Sequence, residues 1–129
     1  MMEPMAMFPV LVTDDLDAQK TFYETNLGFE AVFFESDFYV HLLHRRSGVQ
    51  LGFLVPDHPN QPSFLFSKAG NEGMVISLEV ADIHVALASA KGAGLELAMA
   101  YKEEPWGQKH FMVRDPGGFV VDIIEHQAP

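Results

Sequence analysis

The sequence predicts an α+β fold built from two βαβββ modules in tandem. Three observations carry this. Strand-like and helix-like patterning follow one another in the order β-α-β-β-β, and that order occurs twice. The start of the first helix has an internal match: Leu11-Val12-Thr13-Asp14-Asp15-Leu16 aligns with Leu78-Glu79-Val80-Ala81-Asp82-Ile83, 67 residues further on. The C-terminal stretch reads as two aromatic and β-branched strands, Phe111-Met112-Val113 and Phe119-Val120-Val121, joined by a tight turn.

In order, Met7 to Val12 is a short apolar run suited to a buried strand. Asp14 and Asp15 follow, where a carboxylate accepts from the free N–H groups of a first helical turn and complements its dipole. Leu16, Phe22, Tyr23 and Leu27 recur at helical spacing, so a helix runs from 15 to about 26, closed by Asn26 and Gly28. Residues 29–35, 39–45 and 49–55 are strands, parted by Ser36-Asp37 and Ser47-Gly48. The stretch 56–73, rich in Pro, Asn, Gly and Ser around an apolar island at Phe64-Leu65-Phe66, reads as a linker between modules 7–55 and 74–127 of a single domain, 1–129.

The second module repeats the order with a strand at 74–80, a helix at 82–91 ended by Gly92 and Gly94, and a strand at 95–101. A loop through Glu103-Glu104-Pro105 then leads to the final hairpin, where Pro116 pre-sets φ and Gly117 and Gly118 can take positive φ. Each module covers one sheet face with its helix. The other face must be covered by its twin or enclose something.

The hairpin carries the polar residues of interest. Gln108, His110 and Met112 share one face of its first strand, and Asp122 is a lone carboxylate in an apolar second strand, costly unless it meets water, a partner or a ligand. A two-residue loop places Phe111 opposite Asp122. A three-residue loop places Met112 there with His110 diagonal, and strand physics leaves both open. His110 reads either as a cavity imidazole oriented by Asp122, able to bind a ligand or act as general base, or as a structural His–Asp pair. Trp106 reads as a ligand-stacking wall or as a plug at a dimer contact.

The remaining candidates read as structural. His41 and His44, three apart in a strand, point to opposite faces; His58 lies in the linker, His84 beside the second helix cap and His126 at the C-terminus. Phe33-Phe34, Phe38-Tyr39 and Phe64-Leu65-Phe66 suit core or dimer packing. Asp14-Asp15 is a helix cap and Glu103-Glu104 a solvated loop.

Composition excludes several classes. Net charge is −10, with 8 basic and 18 acidic residues, so the surface repels nucleic acid. With no cysteine there is no disulfide, thiolate metal site or cysteine nucleophile. No apolar run reaches the length of about 20 residues that spans a bilayer, and the start lacks signal-peptide features, so no membrane partner and a cytoplasmic location are expected. P-loop, dinucleotide-binding, HExxH and nucleophile-elbow motifs are absent.

Val12-Thr13-Asp14-Asp15-Leu16, then Phe22-Tyr23-Glu24 and Leu27-Gly28-Phe29, with Trp106-Gly107-Gln108 and Asp115-Pro116-Gly117-Gly118, give the chain a resemblance to the vicinal oxygen chelate superfamily. That group includes glyoxalase I, bleomycin-resistance proteins, fosfomycin-resistance enzymes and extradiol dioxygenases. The resemblance spans nearly the whole chain. It implies a cupped mixed β-sheet around a cavity with helices on the outer face, a homodimer, and the three-residue register that turns Asp122, Met112 and His110 inward. Members that do chemistry generally hold a divalent metal with His, Gln or Glu from equivalent strands of the two modules.

Carried over position by position, that metal site fails here. The first-strand position falls on Phe8, its repeat equivalent on Val75, and the fourth-strand position on Gly52 or Gln50; only Asp122 keeps a carboxylate. Three or four donors are normally needed, so no metal, no other cofactor and no catalytic residue is expected. The resemblance then implies a protein of the bleomycin-resistance, antibiotic-sequestering type, which binds a small organic molecule, cationic or aromatic. Phe8, Gln50, Phe53, Trp106, Gln108, His110, Met112 and Asp122 would line its cavity. Whether it is an enzyme stays open. The alternative is a lyase, isomerase or dioxygenase of the glyoxalase I type, using Asp122 and His110 with Gln50 or a partner-subunit histidine; a third reading has the cavity merely packed.

Overall fold

Asp15 caps the first helix. Its Oδ1 accepts from the Ala18 N–H at 3.1 Å, and Leu16–Leu27 (α1) follows. Gly28, at φ 69°, ends the helix by donating its N–H to the Tyr23 carbonyl, a conformation glycine adopts without strain. The computed structural model describes residues 1–127. Around α1 the first module places strands β1 (Val10–Val12), β2 (Glu30–Glu35), β3 (Tyr39–Leu43) and β4 (Gln50–Leu54) in the order β1-β4-β3-β2, with β1 parallel to β4 and the rest antiparallel.

Alternation sends Val40, Leu42, Leu51 and Phe53 to one face, where all are almost fully buried. Tyr23 of α1 packs there, its ring 5.5 Å from Phe53 and 5.6 Å from Phe29. Each such side chain contributes roughly 1.5–3 kcal/mol by leaving water. Tyr39, His41, Gln50 and Gly52 fall on the opposite face. His41 pairs with Gly52, and Leu43 with Gln50.

The second module repeats the topology with β5 (Ile76–Glu79), α2 (Ile83–Gly92), β6 (Leu97–Glu103), β7 (Gln108–Arg114) and β8 (Val120–His126), in the order β5-β8-β7-β6. Asp82 caps α2 by accepting from the N–H groups of His84 and Val85 at 3.0 and 3.2 Å. Glu125 accepts from Ile83 N–H at 3.0 Å, which ties the helix start to β8. Ile83, Phe111, Val113, Val121 and Ile123 are buried in this module's core. The expected α+β fold of two βαβββ modules is observed.

Several boundaries differ from expectation, among them β6, which runs to Glu103 instead of ending at 101. β1 begins at Val10, not Met7, since Pro9 has no N–H to give a ladder. The second helix runs on through Gly92, and Gly94 takes the left-handed turn at φ 72°. The stretch read as a linker is largely tied to the first module. Ala69 N–H bonds the Val12 carbonyl at 2.8 Å, Lys68 pairs with Asp14 at 2.8 Å, and His58 packs 4.6 Å from Phe38. Packing accordingly divides the chain into Met1–Ala69 and a second unit starting at Gly70.

The hairpin register is the three-residue one: Asp115 N–H meets the Phe119 carbonyl at 2.9 Å, and Met112 faces Asp122. Of the two turn glycines only Gly118 lies at positive φ, 86°. A Cβ there would sit 3.0 Å from Asn71 Nδ2. Gly118→Ala is therefore expected to cost about 1 kcal/mol, read as a fall of roughly 3–5 °C in thermal denaturation. No helix among the described residues is long and apolar enough to cross a membrane.

Candidate functional site

In the second module, alternation along β7 sends Phe111 and Val113 into the core, leaving Gln108, His110 and Met112 on the face that Asp122 also occupies. His110 and Asp122 are buried there, with Nδ1 2.8 Å from Asp122 Oδ1. A third residue completes the group. Glu104 Oε2 lies 3.0 Å from His110 Nε2, and its other oxygen is 3.3 Å from Lys102 Nζ. Glu104 arrives because the turn after β6 folds tightly: its N–H bonds the Gln108 carbonyl at 2.8 Å, and Gly107 takes φ 96°. Glu103-Glu104 is therefore not simply a solvated loop. Glu103 is exposed, but the Glu104 side chain is 9% exposed and packed against the imidazole.

These contacts set the charge. Burial by itself would lower the His110 pKa, but its hydrogen bonds to Glu104 and Asp122, with the attraction of both charges, raise it above the ordinary 6.5. The hydrogen bond from His110 lowers Glu104 below its ordinary 4.5 against an opposing effect of burial, and Lys102 adds to the lowering. An imidazole with a carboxylate at each nitrogen donates twice. In that state it has no lone pair for a proton or a metal.

Gln108 Nε2 lies 3.0 Å from His126 Nε2, and His126 Nδ1 3.0 Å from Glu79 Oε1, a second polar group at the outer end of the same face. Met112 is half-buried beside Asp122, and Trp106 is 68% exposed on the β6–β7 turn.

The first module carries a counterpart. Tyr39 Oη is 2.7 Å from His41 Nδ1, and His41 Nε2 is 2.7 Å from Gln50 Oε1. Phe8 sets its ring edge-to-face with the imidazole, 4.7 Å between centroids. Gly52 makes the arrangement possible, because a Cβ there would lie 2.1 Å from Tyr39 Oη. Burial raises the Tyr39 pKa, which keeps the phenol protonated. Phe53 is corrected: it does not line this face. As the neighbour of Gly52 it points the other way and is fully buried against Tyr23 of α1.

Thus Phe8 and Gln50 both contact His41 in the first module, and His110 and Met112 both neighbour Asp122 in the second. Pattern alone assigns Tyr39 to packing, His41 to a structural role and Glu104 to a solvated loop, and the structure brings all three into these groups. The i, i+2 spacing of Tyr39 and His41 was a usable signal, as was the six-residue separation of Glu104 from His110 across a tight turn. The other histidines are engaged locally. His44 lies beyond β3 and bonds Ser47 Oγ at 2.7 Å, His58 packs 4.6 Å from Phe38, and His84 5.5 Å from Tyr101.

The residues present do not fit a divalent metal of the kind the resemblance implies. Phe8 and Val75 offer no donor, the Gln50 carbonyl is taken by His41, and Glu104 and Asp122 lie on opposite edges of one imidazole instead of converging on a point. Among the described residues no group of three or more His, Cys, Asp or Glu side chains is placed to hold a metal ion. A cleft of about 380 Å³, lined by Glu96, Leu97, Ala98, Arg114 and Asp115, shares no residue with either constellation.

A family model described as Glyoxalase/Bleomycin resistance protein/Dioxygenase superfamily matches residues 6–123. Among solved structures, the chain is similar to a lactoylglutathione lyase from Agrobacterium tumefaciens, at 24% identity and TM-score 0.77, covering 95% of this chain and 94% of that one. A superfamily member from Sphaerobacter thermophilus aligns at 23% identity and TM-score 0.75, covering 98% and 100%. TioX from Micromonospora sp. ML1 aligns at 18% identity and TM-score 0.76, covering 96% and 100%. At such identities the likeness is one of fold. No curated protein sequence matches the chain significantly.

Proposed function

Since the chain belongs to the Glyoxalase/Bleomycin resistance protein/Dioxygenase superfamily, we propose that it binds a small organic cation with an aromatic part, and does so without a metal. One observation carries this reading. At the positions where a metal-holding relative would present donors, this chain has Phe8 and Val75, and its Gln50 and Asp122 are already spent on histidines. Apolar side chains in place of donors suit an organic ligand better than an ion. The net charge of −10 attracts cations over long range, and exposed rings such as Phe8 can receive them by cation–π contact.

The test is calorimetric titration with 2-naphthylmethylammonium, with and without EDTA. Saturable binding of equal affinity in both is expected. Binding that disappears in EDTA, or no binding, would overturn the reading. Retention of about one Ni, Zn, Mn or Fe per chain after desalting, lost in Asp122→Ala, would replace it with a lyase, isomerase or dioxygenase using Asp122 and His110.

A further inference from the structure

Each module places a histidine at the equivalent point of its own sheet. His41 on β3 bonds Gln50, which lies opposite Leu43, two residues beyond that histidine. His110 on β7 bonds Asp122, which lies opposite Met112, again two residues beyond. The diagonal geometry is shared and the acceptor differs: a neutral amide in one module, a carboxylate in the other.

That difference decides which way protons point. Asp122, with Glu104 on the other nitrogen, draws two N–H groups from His110. His41 has two neutral partners, a phenol and an amide. The Gln50 carbonyl takes the Nε2 proton, which leaves Nδ1 with its lone pair. Nδ1 then accepts from the Tyr39 hydroxyl at 2.7 Å. With its proton committed inward, Tyr39 Oη offers only lone pairs outward.

We infer that the Tyr39–His41–Gln50 chain is a binding site of its own, in which Tyr39 Oη is the hydrogen-bond acceptor that anchors an ammonium or hydroxyl donor of the ligand. Phe33, its ring 6.2 Å from Tyr39, and Phe8 against His41 supply apolar surface beside the anchor. Donation of the phenol proton to His41 polarises Oη and strengthens it as an acceptor. Gly52 is part of the device, since only a residue without Cβ leaves room for the hydroxyl. The inference rests on the reading of this chain as a binder and specifies which polar group recognises the ligand.

The experiment combines ring-nitrogen NMR of the full chain with titration of 2-naphthylmethylammonium into the wild type, Tyr39→Phe and Gln50→Glu. The spectra should show the neutral His41 ring carrying its proton on Nε2, and His110 keeping a proton on both nitrogens to a higher pH than an ordinary imidazole does. Tyr39→Phe, which keeps the ring, should weaken the ammonium probe roughly tenfold to a hundredfold, the loss of one charge-assisted hydrogen bond. Gln50→Glu should bring a second proton onto His41, turn the Tyr39 hydroxyl outward as a donor, and weaken the same probe with Tyr39 still present. A proton on Nδ1 of the neutral His41 ring in the wild type would overturn the inference. So would undiminished affinity in Tyr39→Phe, which would leave the binding reading intact. No binding by the wild type would overturn both.

Discussion

Asp122→Ala is expected to lower stability by about 2–3 kcal/mol, a fall of ~5–12 °C in melting temperature. Asp122 is 6% exposed, and its loss strands the Nδ1 proton of a histidine that is itself 5% exposed. Asp122→Asn keeps an acceptor oxygen and should cost less. The sign of the pH dependence follows from the two shifts. His110 has a folded pKa above 6.5, so its contribution is fully present below the unfolded value and is lost as pH rises through the folded one. Glu104 has a folded pKa below 4.5, so its contribution is present above the unfolded value and is lost as pH falls through the folded one. Both are complete between about pH 4.5 and 6.5. Urea unfolding of the wild type and His110→Gln should therefore differ most near pH 5.5 and progressively less as pH rises above about 6.5. An equal difference at pH 5.5 and 8.5 would contradict the charged state assigned to His110.

Gly52→Ala is expected to destabilise the first module by about 1–2 kcal/mol and to remove the Tyr39 anchor. The added carbon would lie 2.1 Å from Tyr39 Oη and 2.8–2.9 Å from the nearest ring carbons, so the ring must swing out and release His41. Ammonium affinity should fall as far as in Tyr39→Phe, and the His41 ring-nitrogen signals should shift. Normal affinity with an unshifted His41 would show that the sheet has room the geometry denies.

Much of the architecture was legible in residue order. Asp15 and Asp82 cap helices where a carboxylate precedes an apolar helical pattern, and Gly28 ends one where a left-handed turn is needed. The 67-residue match of the two helix starts carried the repeat. The hairpin was legible as a hairpin but its register was not, because Pro116, Gly117 and Gly118 suit both a two- and a three-residue loop. The resemblance favoured the longer one, and it is the one observed.

The site was less legible, for a reason that differs between residues. Phe53 was misassigned because a one-residue change of parity exchanges the two faces of a strand, and the apolar neighbourhood of β4 does not reveal which face meets the helix. Glu104 looked solvated because a loop glutamate usually is; the turn at Gly107 brings it back onto His110. Tyr39 reads as packing and His41 as structural from pattern, because what joins them into one chain, the Gln50 amide and the space above Gly52, lies on the neighbouring strand.

The sequence by itself determined the two βαβββ modules with their caps and turns, since these follow from local patterning and residue chemistry; the loss of donors at Phe8 and Val75 is legible only through the resemblance, which says where donors would stand. Only the tertiary structure decided that one histidine is held between two carboxylates and the other between a phenol and an amide. Apart from the Tyr39–His41 bond within β3, these partners are met across strands or a turn, and they depend on register and turn geometry, which no local pattern encodes.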